Sequence, residues 1–191
     1  MTDLNHSTFN FESIARSWRY NFFRSILFML FGVTEFFALL IYDTKPFTKN
    51  VIIFGCFAIF EGAIATIWYL KKEKGIINWR GVFLNGLPGL ILGSLALIYL
   101  NKIIEIYTIG FVNVGLWIIL NGIGDILTYE NYPIDLPLVK RAVSGAQISI
   151  AGGVLLLIPY FSVIFIGFYA FIYGVFISNT AVALRDLTSN N

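Results

Sequence analysis

The stretch Val51-Ile-Ile-Phe-Gly55-Cys-Phe-Ala-Ile-Phe-Glu61-Gly62 lies in an apolar run that extends from Val51 to Leu70. Its two glycines are seven residues apart, which is close to two helical turns, so both lie on one face of a helix. The same spacing returns twice, at Gly115 with Gly122 and at Gly167 with Gly174. We therefore expect three related helices, each with a glycine-lined packing face.

A different polar residue precedes the second glycine in each copy: Glu61, Asn121 and Tyr173. A carboxylate in a long apolar run is costly in lipid and is by default a functional candidate. If the three helices surround one axis, these side chains point inward at one level and form a mixed polar collar. If aromatic side chains fill the space inside the collar, it would be a plug. If water fills that space, it would be a conduction path.

The composition is that of an integral membrane protein. Of the 191 residues, 58% are hydrophobic and only 13% are charged, whereas a soluble domain has about 25% charged residues. The net charge of +2 is too small to suggest nucleic acid as a partner. The partner that the composition indicates is the lipid bilayer.

Six apolar runs are long enough to cross a bilayer. They are 21–42, 51–70, 81–100, 103–127, 142–160 and 161–184. We expect an all-α membrane domain over 21–184, preceded by a cytoplasmic segment 1–20, which is either a short interfacial helix or disordered, and followed by a cytoplasmic tail 185–191. The first twenty residues do not read as a signal peptide.

Positive charge predicts the orientation, because Lys and Arg accumulate on the cytoplasmic side. The N-terminal flank with Arg24, the second loop, the fourth loop and the tail hold ten of the 13 Lys and Arg residues. Both termini are therefore expected in the cytoplasm, and in a bacterium the membrane would be the inner one.

The spans are expected to repeat as pairs. Trp18-Arg19 precedes the first span, Trp79-Arg80 the third and Lys140-Arg141 the fifth, at intervals of 61 residues. The repeats cover approximately 18–75, 78–132 and 139–184. Because each crosses the membrane twice, all three have the same orientation, and a pseudo-threefold axis along the membrane normal is expected.

Small residues also recur on the odd-numbered helices and favour close helix packing. The glycines concerned are Gly89, Gly93, Gly145 and Gly153. The predicted helix-packing set consists of Gly89, Gly93 and Gly153 from these helices together with Gly55, Gly62, Gly115, Gly122, Gly167 and Gly174. Pro88, inside the third span, is expected to kink its helix.

In an antiparallel helical hairpin, residues equally far from the turn lie at the same depth. This rule predicts partners for the buried polar groups. On this basis Glu35 is expected near Glu61, where two carboxylates would share one proton. The two readings of this pair are a functional proton-sharing site and a protonated clamp between helices. The same reasoning pairs Asn85 with Asn121, and it pairs Arg80 with Asp125 as a structural ion pair.

The sequence offers no enzyme constellation. His6, the only histidine, lies in the polar N-terminal segment, and Cys56, the only cysteine, lies within a span. A Ser-His-Asp triad and a Cys- or His-based metal cluster are therefore not expected. We expect no catalytic residues, no cofactor and no metal, and the sequence names no transported ion or small molecule. Assembly as a homo-oligomer stays open.

The chain resembles the HdeD-type acid-resistance membrane proteins over roughly Ser17 to Leu184. The likeness is carried by Asn78-Trp79-Arg80-Gly81 through Gly86 and Gly93, by Gly115 to Gly122 and Gly167 to Gly174, and by Pro46 and Pro159. The resemblance implies a bacterial inner-membrane protein connected with survival at acid pH, with no catalytic activity or cofactor. It implies no site residues, and Glu35 and Glu61 have no charged counterparts in the other two repeats.

Three functions follow as hypotheses. The first is a non-enzymatic inner-membrane protein that acts in acid-stress resistance. The second is a small channel or transporter for protons or a solute along the pseudo-threefold axis. The third is a membrane scaffold that assembles through its glycine faces and the basic loop Lys71–Lys74.

Overall fold

The computed structural model describes residues 18–41, 46–70, 82–98, 106–129, 137–157 and 163–189. In these ranges the regular secondary structure is entirely helical, which confirms the predicted all-α fold for this part of the chain. The helices are α1 (Trp18–Ile41), α2 (Pro46–Leu70), α3 (Leu87–Ile98), α4 (Ile106–Tyr129), α5 (Pro137–Leu156) and α6 (Val163–Ser189), and a turn of π-helix, Val82–Gly86, leads into α3.

Two helical segments among the described residues are long and apolar enough to cross a membrane. They are Val51–Leu70 in α2 and Phe165–Asp186 in α6. The apolar segments Val82–Ile98 and Val112–Leu127 are shorter. Length and composition thus give weak support for a membrane protein.

The helix ends differ in detail from the predicted spans. Pro46 and Pro137 are the first residues of α2 and α5, a position that suits proline because the first-turn amide has no partner in the helix. At the other end of the chain, α6 continues to Ser189. The segment after Leu184, expected to be a tail, is therefore helical as far as Ser189.

The helices pack most extensively between hairpins rather than within them. The closest pairs are α1 with α6, α2 with α3, and α4 with α5. Glycine makes each contact possible, because a Cβ would collide with backbone. An added Cβ at Gly55 would lie 3.1 Å from the carbonyl oxygen of Gly93, and one at Gly115 would lie 2.8 Å from that of Gly153.

The third of these contacts joins the first and last helices. A Cβ added at Gly167 would lie 3.0 Å from the carbonyl oxygen of Gly32, and one at Gly174 would lie 2.9 Å from that of Ser25. A second row of close approaches places Gly62 against Gly86 and Gly89, and Gly122 against Ala146. Gly124, which packs against Asn85, and Gly152, which packs against Tyr169, were not in the predicted set.

Aromatic rings fill the interior between α1, α2 and α4. Phe31 stacks on Phe57 with ring centroids 4.4 Å apart, and Phe28 stacks on Trp117 at 5.3 Å. Phe54 meets Trp117 edge to face at 5.6 Å. We call these five side chains the aromatic layer. Such contacts add to the stabilisation from burial and leave the middle of the bundle filled.

The helix that contains Pro88 widens before the proline. Proline has no amide hydrogen and its ring meets the carbonyl group four residues earlier, so it disturbs the preceding turn. The disturbance takes the form of the π-helical turn Val82–Gly86. Wide turns of this kind occur often at functional sites, and this one carries Asn85, which is fully buried.

Candidate functional site: a buried arginine shared by four helices

The guanidinium of Arg24 lies in the interior of the bundle, with the side chain 2% exposed. Its Nε donates a hydrogen bond to Oε1 of Glu61 at 3.0 Å. Its Nη1 donates to Oδ1 of Asp125 at 2.9 Å. Arg24 of α1 thus forms ion pairs with one carboxylate from α2 and one from α4.

Two further helical residues complete the shell around this arginine. Nη2 of Arg24 donates to Oδ1 of Asn121 at 2.5 Å and to the hydroxyl oxygen of Tyr173 at 3.3 Å. The Tyr173 hydroxyl in turn donates to Oδ2 of Asp125. We call Arg24, Glu61, Asn121, Asp125 and Tyr173 the Arg24 cluster. It joins α1, α2, α4 and α6.

Helix periodicity explains how these residues meet. Asn121 and Asp125 are four residues apart and share one face of α4, and the Asn121 amide also donates to the backbone oxygen of Trp117 at 2.9 Å. Arg24 lies 17 residues before the end of α1 at Ile41, and Glu61 lies 15 residues after the start of α2 at Pro46. The two side chains therefore reach the same level of the antiparallel pair.

The charges of the Arg24 cluster do not balance. One guanidinium faces two carboxylates, and the remaining members, Asn121 and Tyr173, are neutral in their ordinary forms. The cluster is therefore either singly negative, with both carboxylates ionised, or neutral, with one bound proton.

The structure brings together three of the four residues that the sequence singled out for an intramembrane polar site. Glu61, Asn121 and Tyr173 all contact Arg24. Sequence reasoning missed Arg24 itself, because it was counted among the positive flank of the first span. A signal existed: Arg24 lies inside the first span, and the carboxylates of other spans need a cation.

The fourth residue, Glu35, does not join Glu61, and the predicted carboxylate pair is wrong. Glu35 is 1% exposed, its Cβ lies beside Gly167 of α6, and neither of its carboxylate oxygens has a hydrogen-bond partner among the described residues. The prediction failed because it measured depth from the middle of the loop. Measured from the helix ends, Glu35 is six residues from Ile41 whereas Glu61 is 15 from Pro46, about 13 Å of difference along the axis.

The amide pair predicted from the second hairpin is also wrong. Asn85 donates a hydrogen bond to the hydroxyl of Tyr69 on α2 at 3.1 Å, whereas Asn121 bonds Arg24 and Trp117. The Asn85 side chain thus reaches Tyr69 on α2 and also packs against Gly124 on α4, three residues beyond Asn121. The predicted partner of Asp125, Arg80, lies outside the described residues.

The described residues contain no group of three or more His, Cys, Asp or Glu side chains arranged to hold a metal ion. Comparison of the chain with models of protein families, with curated proteins and with solved structures found no match. The role of the Arg24 cluster is therefore inferred from its own geometry and charge.

Proposed function

We propose that the chain is an integral protein of the bacterial inner membrane that crosses the bilayer six times with both termini in the cytoplasm. The surface of the bundle supports this proposal. Each helix exposes large apolar side chains, for example Leu30, Phe60, Ile91, Leu116, Val154 and Phe168, which are 39% to 60% exposed. Soluble proteins rarely expose apolar surface on all sides. Here the charged groups Arg24 and Glu61 are inside instead.

We further propose that the three hairpins are parallel repeats about a pseudo-threefold axis. The close contacts support this arrangement, since each joins the second helix of one repeat to the first helix of the next. The first-helix glycines at these contacts are Gly32, Gly93 and Gly153, which are 61 and 60 residues apart. The contact between α6 and α1 closes the ring.

The function we propose is non-enzymatic and belongs to acid-stress resistance, in keeping with the resemblance to HdeD-type proteins. The observation that carries it is the buried Arg24 cluster, in which one guanidinium faces two carboxylates. Uptake of one proton neutralises the cluster and relieves the cost of keeping a surplus negative charge in the buried interior. Acid would thereby strengthen the contact between α1, α2 and α4 rather than weaken it.

A channel along the axis is less well supported. Directly beside the cluster, on the side of the helix ends Ile41, Pro46 and Ile106, the aromatic layer fills the interior. Rings stacked at 4.4 Å and 5.3 Å leave no path for a hydrated ion. We therefore propose a sealed bundle.

Two measurements test the proposal together. Cells that lack the protein should survive acid poorly. The wild-type chain and Glu61→Gln, which mimics the protonated cluster, should restore survival, whereas Arg24→Met, which removes the cation that joins the two carboxylates, should not. Purified protein in liposomes that contain a pH-sensitive dye should carry no proton current above that of empty liposomes. Full complementation by Arg24→Met would remove the cluster from the function, and a proton current would favour the channel.

A further inference from the structure

A small cavity reaches the Arg24 cluster from the end of the bundle where α1 and α5 begin. It is lined by the cluster members Arg24, Asp125 and Tyr173 and, further out, by Arg141 and Thr180. The cavity is open to the surface and has room for at least one water molecule. Ala142, Gly145 and Ala146 form its wall on α5, where small side chains leave the space free.

Exposure within the cluster is one-sided. The side chain of Asp125 is 18% exposed, whereas those of Arg24 and Glu61 are 2% exposed, and Asn121 and Tyr173 are equally buried. Asp125 is therefore the carboxylate that water in the cavity meets. On the opposite side of the cluster the aromatic layer excludes water.

The groups that face the cluster come from several helices. Among the described residues, those that are charged or titratable are Tyr20 and Arg24 on α1, Glu61 and Tyr69 on α2, Asp125 on α4, Arg141 on α5, and Tyr169 and Tyr173 on α6. Arg141 is exposed at the mouth of the cavity. Asp125 is the only carboxylate among the residues that line the cavity.

We infer that this cavity is a water-filled proton path, and that it connects the Arg24 cluster, at the exposed edge of Asp125, with the cytoplasmic side only. The inference rests on the proposed function, because it supplies the route by which the Arg24 cluster would respond to acid. The inference also specifies the side from which protons come. The protein responds to acidification of the cytoplasm, and protons from the other side of the membrane do not reach the cluster.

Cysteine labelling tests the path without reference to acid. In a Cys56→Ser background, Ala142→Cys places a thiol in the cavity wall, and the matched control Ala58→Cys places one in the filled interior, where Ala58 has no exposed surface. An anionic, membrane-impermeant thiosulfonate should modify Ala142→Cys in inside-out vesicles and leave it unmodified in right-side-out vesicles. The control should resist modification from both sides. Failure to modify Ala142→Cys from the cytoplasmic side, or modification from the other side, would overturn the inference.

A kinetic experiment tests whether protons use the path. Ala142→Leu narrows the cavity, and Val154→Leu makes a similar change at an exposed position of the same helix. After a rapid drop in pH, the change in tryptophan fluorescence should be at least tenfold slower in Ala142→Leu than in wild type, and unchanged in Val154→Leu. An equal rate in all three proteins would overturn the path. If the wild-type protein shows no acid-induced change, the proposed function fails, while the labelling result still decides the path.

Discussion

Arg24 is the one basic side chain that is buried among the described residues. It holds two carboxylates, an amide and a phenol in place, and its guanidinium also lies over the rings of Phe28 and Tyr173. Burying a cation is costly unless it is paired and hydrogen-bonded. The stability of the bundle should therefore depend on this residue more than on any exposed ion pair.

Replacing this arginine provides the first test at the scale of single residues. Arg24→Met should lower the free energy of unfolding by about 3–5 kcal/mol, because it leaves two buried carboxylates without a cation. Unfolding in detergent micelles with increasing dodecyl sulfate measures the change. Arg185→Met is the control: Arg185 is 58% exposed beside Asp186, and an exposed pair is worth at most about 1 kcal/mol. Equal stability of the two variants would contradict the assigned role of Arg24.

The balance of charge in the cluster predicts a pH dependence. Two buried carboxylates face one guanidinium in the folded cluster, and a proton would cancel the surplus negative charge, so acidification should stabilise the wild-type protein. One proton sets the upper limit at about 1.4 kcal/mol per pH unit. Glu61→Gln mimics the protonated state, and its stability should not rise between about pH 7 and about pH 5, the range just above the unfolded carboxylate values.

The same unfolding assay, repeated at several pH values, measures that slope. Asp125→Asn also leaves one carboxylate for one guanidinium and should behave like Glu61→Gln. Asp186→Asn removes an exposed carboxylate and should retain the wild-type slope. A wild-type protein that loses stability over this interval would disprove the assumed proton uptake.

Replacement of Glu35 should change the stability in the opposite direction to replacement of Arg24. A buried carboxyl group without hydrogen-bond partners costs about 1–3 kcal/mol, so Glu35→Leu should stabilise the protein by an amount of this order. Glu35→Gln should recover little of it, because a buried amide at the same place also lacks a partner within the part of the chain that the structure describes. Loss of stability in Glu35→Leu would show that the carboxyl group has a role that the described residues do not reveal.

Residue types alone identified much of this site but could not assemble it. The costly side chains Glu61, Asn121 and Tyr173 are visible in the sequence because polar groups are rare in apolar runs. The partner of each depends on which helices touch, and loop length says little about that. Arg24 was overlooked for a related reason, since a basic residue near the start of a span is also what orientation in a membrane requires.

At the scale of helices, the glycines decide which faces meet. The glycine-rich faces of α2, α4 and α6 were evident from the seven-residue spacing, and each contacts the small residues of an odd-numbered helix. Their partners belong to the neighbouring hairpin, however, because the close approach of two backbones in lipid contributes more than sequence proximity does. Matching depths within one hairpin could not predict these contacts between hairpins.

A matched pair of substitutions tests this view of the glycines. A Cβ at Gly62 would lie 2.6 Å from the carbonyl oxygen of Gly86, whereas one at Gly145 would lie 3.3 Å from the side chain of Phe176. Gly62→Ala should therefore destabilise the protein by about 1–3 kcal/mol, and Gly145→Ala should change it little, because a side chain can move aside. The midpoints of thermal unfolding compare the two variants, and equal midpoints would contradict close packing at Gly62.

At the scale of the whole molecule, the proposed membrane location makes a direct prediction. The protein should sediment with membranes and stay there after extraction at alkaline pH, since apolar side chains cover the outside of the bundle. Green fluorescent protein fused to the C-terminus should fluoresce, because this terminus is proposed to be cytoplasmic. Release of the protein into the supernatant, or a dark fusion, would refute the insertion or the orientation.

The contact between α1 and α6 has a consequence for biogenesis. The ribosome delivers the helix that carries Arg24 before the helix that carries Tyr173, so at the proposed membrane location the nascent chain would enter the bilayer with a cation whose neutralising groups have not yet been translated. Lateral release of α1 from the translocon would then be costly until Glu61 arrives with α2, and the ring could not close before α6 is translated. A ribosome that stalls before α6 is translated would leave the glycine face of α1 uncovered. Quality-control proteases would then have access to an incomplete bundle.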